Sequence, residues 1–220
     1  MKKSRLLTTM IFCIMLACTP SAQATSNAII IDDYKNGLDA HWQKKSFSGE
    51  THYMIEENDK QPSIHATSDG AASGLFFKID FDPLQYPILS WSWKIDHVLE
   101  KGDARTKQGD DYAARVYVVF PSWLFWKTRA LNYVWANTLP KENFIANAFT
   151  ANAMMIAVRS GPAGTGQWHT EQRNIYEDYK RAFGEEPTMA GAIAIMTDTD
   201  NTGEKASAWY GPISISSQRK

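Results

Sequence analysis

A stretch near the end of the chain, Met196-Thr197-Asp198-Thr199-Asp200-Asn201-Thr202-Gly203-Glu204, is dense in oxygen donors and drops straight out of an apolar run. Asp198, Asp200 and Thr202 place oxygens at alternate positions and Gly203 supplies a turn, an arrangement that suits a hard cation such as calcium. The twelfth position counted from Asp198 is Trp209 rather than a bidentate Glu, so the loop is not an EF-hand. Three chemistries stay open for it: calcium in another geometry, contact with a polar ligand, or a turn whose side chains bond its own backbone. No other motif calls for a cofactor.

Cations and further carboxylates lie upstream. Lys94, Arg115 and Arg159 stand on the polar side of alternating segments, and a guanidinium can grip a carboxylate or phosphate with two parallel hydrogen bonds. Asp110, Asp111 and Glu171 are acceptors for a polyhydroxylated ligand, or partners that tie those cations into a structural network. Trp168-His169-Thr170-Glu171-Gln172-Arg173 combines an aromatic ring, an imidazole, a carboxylate and a guanidinium, with His169 read as an ordinary loop residue rather than a base. Trp168 and Trp209 are candidates for stacking on a sugar, and Arg173 for charge. If two of Asp111, Glu171 and Asp198 converged in one cleft, they could serve as acid and base on a glycan. Trp123 and Trp126, in Pro121-Ser122-Trp123-Leu124-Phe125-Trp126, are surface aromatics suited to a protein contact. Nucleophile-elbow, phosphate-loop, zinc-protease and dinucleotide fingerprints are absent from the sequence.

The elements that must carry these residues are strands. Leu89, Trp91, Trp93 and Ile95 alternate with Ser90, Ser92, Lys94 and Asp96, the pattern of a strand with one buried face. The same period runs through Ala114–Phe120, Met154–Arg159 and Ala192–Met196, and more weakly through 28–31, 53–56, 63–66, 74–79, 131–136 and 208–214. About ten short strands separated by turns predict an all-β, antiparallel, jelly-roll-like sandwich. If every apolar side points inward, Ser90, Ser92, Lys94, Arg115, Tyr117, Ala157, Arg159, Ala192 and Ala194 collect on one polar face. One short helix is expected at about 174–183, with Asn174 capping Glu177, an apolar stripe of Ile175, Tyr176, Tyr179 and Phe183, and Gly184 as C-cap.

The first 24 residues read as an export signal: Lys2, Lys3 and Arg5, an apolar run from Leu6 to Ala17, and Ala22-Gln23-Ala24 as cleavage site. Residues 25–220 then form one β-sandwich domain, periplasmic or secreted, and no segment is apolar for long enough to span a bilayer. Lipid anchoring at Cys18 is the less favoured alternative, because Met15 and Leu16 fit a lipoprotein box poorly. Both cysteines, Cys13 and Cys18, leave with the signal, which removes thiol catalysis and thiolate metal sites. Of 23 basic residues three also leave, so 20 face 24 acidic ones, a charge of about −4 that excludes a nucleic-acid binder.

In order, Ser90-Trp91-Ser92-Trp93-Lys94, Asp110-Asp111-Tyr112-Ala113-Ala114-Arg115-Val116-Tyr117, Glu171-Gln172-Arg173-Asn174 with Asp178-Tyr179 and Phe183-Gly184, and Thr197-Asp198-Thr199-Asp200-Asn201-Thr202-Gly203 span nearly the whole chain after the signal. This series resembles a secreted bacterial family known as domain of unknown function 3047. The resemblance implies a periplasmic single-domain protein with a sandwich similar to carbohydrate-binding modules, and it carries over no catalytic or binding residue. The expected function is a binding module for a saccharide or anionic ligand. The alternatives are a carboxylate-dependent hydrolase or lyase on envelope glycans, and an envelope scaffold.

Overall fold

The computed structural model describes residues 27–57 and 62–217. The expected signal, with Cys13 and Cys18, lies outside them. In chain order the strands are β1 (Ala28–Asp32), β2 (Trp42–Ser48), β3 (His52–Glu56), β4 (Ser63–Asp69), β5 (Ala72–Phe81), β6 (Ile88–Ile95), β7 (Arg115–Phe120), β8 (Arg129–Ala136), β9 (Phe144–Ala146), β10 (Ala153–Ser160), β11 (His169–Asn174), β12 (Ala190–Asp198) and β13 (Lys205–Ser216). A single α-helix, α1 (Ile175–Phe183), sits between β11 and β12.

Two sheets form the expected sandwich. One has the order β11-β6-β13-β4-β3 with β1 also paired to β13; the other has the order β2-β5-β12-β7-β8-β10-β9. The pairings are antiparallel except that between β8 and β10, which run parallel. The core follows from the period-two pattern. Trp91 and Trp93 of β6 point inward and meet Tyr133 and Trp135 of β8, with ring centroids 5.4 Å apart for Trp91–Tyr133 and 6.0 Å for Trp93–Trp135. Each buried aromatic side chain removes roughly 150–250 Å² from water, so this quartet is a large part of what holds the sheets together.

Helix α1 begins where Asn174 accepts a hydrogen bond from Glu177 N at 3.1 Å and ends at Gly184, whose φ of 72° is the left-handed geometry of a C-cap. Ile175 and Tyr179 are buried, Tyr179 against Phe120 of β7, while Tyr176 turns outward to Glu186. Asn174→Ala should cost about 1 kcal/mol, the usual value of a lost N-cap, read from a chemical-denaturation midpoint shift without change of slope.

Candidate functional site

The outward face of the seven-stranded sheet is built in register. Gln43, Phe76, Ala194, Tyr117, Asn132 and Met155 oppose one another across β2, β5, β12, β7, β8 and β10, and the next row runs Lys45, Gly74, Met196, Arg115. Ala194 and Gly74 leave space between larger neighbours. A Cβ on Gly74 would stand 3.1 Å from Phe76 Cε2 and 3.0 Å from Ile195 O, so the ring would have to give by a few tenths of an ångström. Phe47, Phe76 and Tyr117 form a line of rings, with Phe76 6.3 Å from each of the other two.

At one end of this face lies a pocket of about 490 Å³. Its floor is Arg115, Tyr117, Asn132, Met196 and Asp198, and its rim Phe47, Asp110, Asn147, Phe149, Asp200 and Asn201. Phe47 comes from β2 and Phe149 from the β9–β10 loop, at opposite edges of the sheet, and each ring is 55% exposed. The register Met196↔Arg115 brings the acidic loop beside the Arg115 strand and so sets Asp198 on this face.

The guanidinium of Arg115 is engaged internally through Nε and Nη2. Its Nε donates to Asp198 Oδ1 at 2.7 Å, its Nη2 to Asp198 Oδ2 and to the backbone carbonyl of Asp110, and its Nη1 stands 4.0 Å from Asp110 Oδ2. Its plane lies 4.5 Å from the Tyr112 ring. Asp111 is equally occupied: Asn201 Nδ2 donates to Oδ1 at 3.1 Å and Thr202 N to Oδ2 at 2.6 Å. It therefore braces the loop from behind. Glu204 accepts the backbone N–H groups of Glu100 and Lys101, and Gly203 N closes back on Thr199 O at 2.9 Å.

A network of hydroxyls lies beneath the floor. Tyr210 reaches from the opposite sheet to donate to Met196 O at 2.6 Å, and its oxygen accepts Arg115 N. Thr197 Oγ1 donates to Ala113 O at 2.8 Å, and Thr51 Oγ1 to Thr197 O at 2.8 Å. Buried polar groups need such partners, and here they fix where β7 and β12 present their side chains.

Two atoms of the pocket break this rule. Asp110 Oδ1 and Asn132 Oδ1 are buried, on residues 5% and 2% exposed, and have no hydrogen-bond partner. Leaving an acceptor unsatisfied costs about 1–3 kcal/mol, so each favours a donor; the Tyr112 hydroxyl, likewise without a close partner, faces the Asp110 carboxyl.

The site is crowded with carboxyl groups. Asp111, Asp198 and Asp200 bring oxygens within 4.8 Å of one another, and Asp110 adjoins them through Arg115. Burial pushes the Asp198 carboxyl up to about 8 against the pull of Arg115. Burial also raises Asp110, against Arg115, and Asp200, where Asp111 adds to the effect. Carboxyls held above their unfolded value near 3.9 take up protons on folding. Their contribution is fully present below that value and is lost as pH rises through the folded values, the last near 8 at Asp198. Between about pH 7 and 9 the melting temperature should fall, and Asp198→Asn should flatten that slope; a melting temperature that rises over this window would contradict the assignment.

As for a cation, Asp198 and Asp200 do meet a third ligand type, but it is Asp111 rather than Thr202, whose backbone N–H is bonded to Asp111. Both Asp198 oxygens are taken by Arg115.

The remaining sequence-derived candidates lie elsewhere, so the single polar face becomes three places. Lys94, Trp168 and Trp209 stand on the outer face of the six-stranded sheet, Lys94 Nζ 3.8 Å from the Trp209 ring centre and 5.7 Å from that of Trp168. His65 stacks on Trp209 at 4.4 Å, and Trp209 Nε1 donates to Glu56 at 2.7 Å. Alternation marks a side chain as inward or outward without saying on which sheet. Arg159 also departs from the Arg115 face, because the register of β10 shifts between Ala157 and Arg159 and turns it toward Glu171, whose Oε1 accepts its Nε at 2.5 Å. Trp93 Nε1 donates to the same Glu171 oxygen. Arg173 is bound to Asp178 and Glu142. Glu171 thus belongs to an ion pair at the sandwich margin. Trp123 is 91% exposed and Trp126 is also exposed, with Phe125 edge-on to it.

Phe47, Phe76, Asn132, Asn147 and Phe149 were not singled out from the sequence. Phe47 sits on β2, whose run Gln43-Lys44-Lys45-Ser46 shows no alternation because this edge strand is exposed on both faces beyond Trp42. Asn147 carried one signal: an Asn followed two residues later by Phe149, whose N–H it accepts at 2.9 Å in a turn.

None of the curated proteins compared with the chain is significantly similar to it in sequence. Among solved structures, a family 30 carbohydrate-binding module of a cellulosomal cellulase of Clostridium thermocellum is similar with a TM-score of 0.53 and 11% identity, over 88% of this chain and 99% of that one. A second family 30 carbohydrate-binding module gives a TM-score of 0.50 and 9% identity, over 87% and 99%. At these identities the likeness is one of fold. A family profile matches residues 40–214, and the chain accordingly belongs to the family described as "Protein of unknown function (DUF3047)".

Proposed function

We propose that the protein is an exported saccharide-binding module whose site is the pocket between Phe47 and Phe149. The observation that carries this is the pair of unpartnered buried acceptors, Asp110 Oδ1 and Asn132 Oδ1, in a pocket rimmed by exposed rings. Sugars offer what such a site lacks: hydroxyl donors for the acceptors and apolar ring faces for the aromatics. That the sandwich is shared with two carbohydrate-binding modules supports the reading as analogy of fold. Export follows from the residues of the first 24 positions.

Binding is favoured over glycan cleavage by the state of the carboxylates. Asp111 and Asp198 converge, yet their oxygens are held by Asn201, Thr202 and Arg115, leaving them poorly placed to pass a proton to a ligand. The test is calorimetric titration with oligosaccharides, beside Phe47→Ala and Phe149→Ala. Stacking contributes about 0.5–1.5 kcal/mol per ring, so each change should weaken binding roughly two- to tenfold. Saccharide binding that is indifferent to both rings and to Asn132→Ala would place the site elsewhere.

A further inference from the structure

Four carboxyl groups, on Asp110, Asp111, Asp198 and Asp200, gather around Arg115, the one cation among the described residues lining the pocket. At its rim Lys45 Nζ stands 5.0 Å from the Phe47 ring and Lys107 Nζ 5.2 Å from the Phe149 ring. Arg115 is already set against carboxyl groups: Asp198 holds it on two nitrogens, the Asp110 carbonyl takes a further bond, and Asp110 Oδ2 stands 4.0 Å from Nη1. The acceptors that remain available are Asp110 Oδ1, Asn132 Oδ1 and the half-buried Asp200, beside the Asn132 amide N–H groups. An acidic sugar would bring its own carboxylate against Asp110 and Asp200. A neutral sugar would fill the acceptors without bringing charge. An ammonium group suits these acceptors, since it carries three donors and no acceptor and sets a positive charge beside Asp110 and Asp200.

Resting on the saccharide-binding reading, we infer that the ligand of this pocket is a saccharide with a free amino group, its ammonium set against Asp110 Oδ1, Asn132 Oδ1 and Asp200. Hydrogen bonds to charged groups are worth about twice neutral ones, and on this site the difference appears as selectivity between an amine and its acetylated form.

The experiment is calorimetric titration of the intact chain at about pH 6 with three hexasaccharides: glucosamine, N-acetylglucosamine and galacturonate. The glucosamine hexamer should bind at least about tenfold more tightly than its acetylated counterpart, the galacturonate should be the weakest, and added salt should erode the difference. Asp110→Asn, which keeps shape and removes charge, should bring the first two ligands within about threefold of each other. Asp200→Asn, at a more exposed position, provides the same reading if Asp110→Asn does not fold. Equal binding of the amine and the acetylated form, a preference for the acidic hexamer, or an unchanged ratio in the Asp variants overturns the amine assignment while leaving saccharide binding intact. Binding of none of the three by folded protein overturns both.

Discussion

Arg115→Met is expected to destabilise the protein by about 3–5 kcal/mol at about pH 8, the cost of leaving a buried carboxylate without its partner. The guanidinium satisfies both oxygens of Asp198 and one backbone carbonyl, and neither residue has more than marginal contact with water. Without Arg115 the Asp198 carboxyl would retreat to its protonated form, so the loss should shrink toward about pH 5, where the proton comes from solvent at little cost. The double substitution Arg115→Met with Asp198→Asn should be less damaging than the sum of the two single ones, because it removes the pair and not half of it. Denaturation midpoints of the four proteins at two pH values measure this. Additive losses with no pH dependence would show that the pair carries no coupling.

Trp93→Ala should cost a comparable 3–5 kcal/mol for a different reason, the cavity left by a large ring among rigid neighbours. Trp93 is fully buried, edge-on to Trp91 at 5.3 Å, and its indole N–H ends on Glu171. Trp93→Phe keeps most of the volume and should recover most of the loss. The remainder would be the hydrogen bond to Glu171, which Arg159 shares. Because Trp93 belongs to the six-stranded sheet, the variant that still folds should keep the ligand affinity of the opposite sheet. A Trp93→Ala protein with an unchanged melting temperature would mean that the core does not depend on the inward aromatic quartet.

What the sequence made legible was the alternation of buried strands. β6, β7, β10 and β12 lie where Trp91/Trp93, Val116/Val118, Ile156/Val158 and Ile193/Ile195 repeat every second residue, and the helix lies between its Asn and Gly caps. β11 was hidden because its inward positions are Glu171 and Arg173, paired with Arg159 and Asp178 where apolar residues would have revealed a strand. β2 was hidden because an edge strand open on both faces has no reason to alternate, and β9 has only three residues. The site was half legible. Asp110, Arg115, Asp198 and Asp200 meet because β12 pairs with β7, whereas Lys94 and Trp209 belong to a sheet on the other side of the core. The asparagine and phenylalanines of the pocket depend on contacts between segments far apart in the chain, which no local pattern encodes.

The brace that Asp111 and Glu204 put on the Asp198–Glu204 turn has a kinetic meaning. The turn is pinned to the chain at Asp111 and at Glu100–Lys101, and Tyr210 fixes the floor from the opposite sheet. A rim held in this way has little conformational freedom to surrender when a ligand arrives. Association should then proceed in one phase with no slow rearrangement, and differences among ligands should be found in how long each one stays.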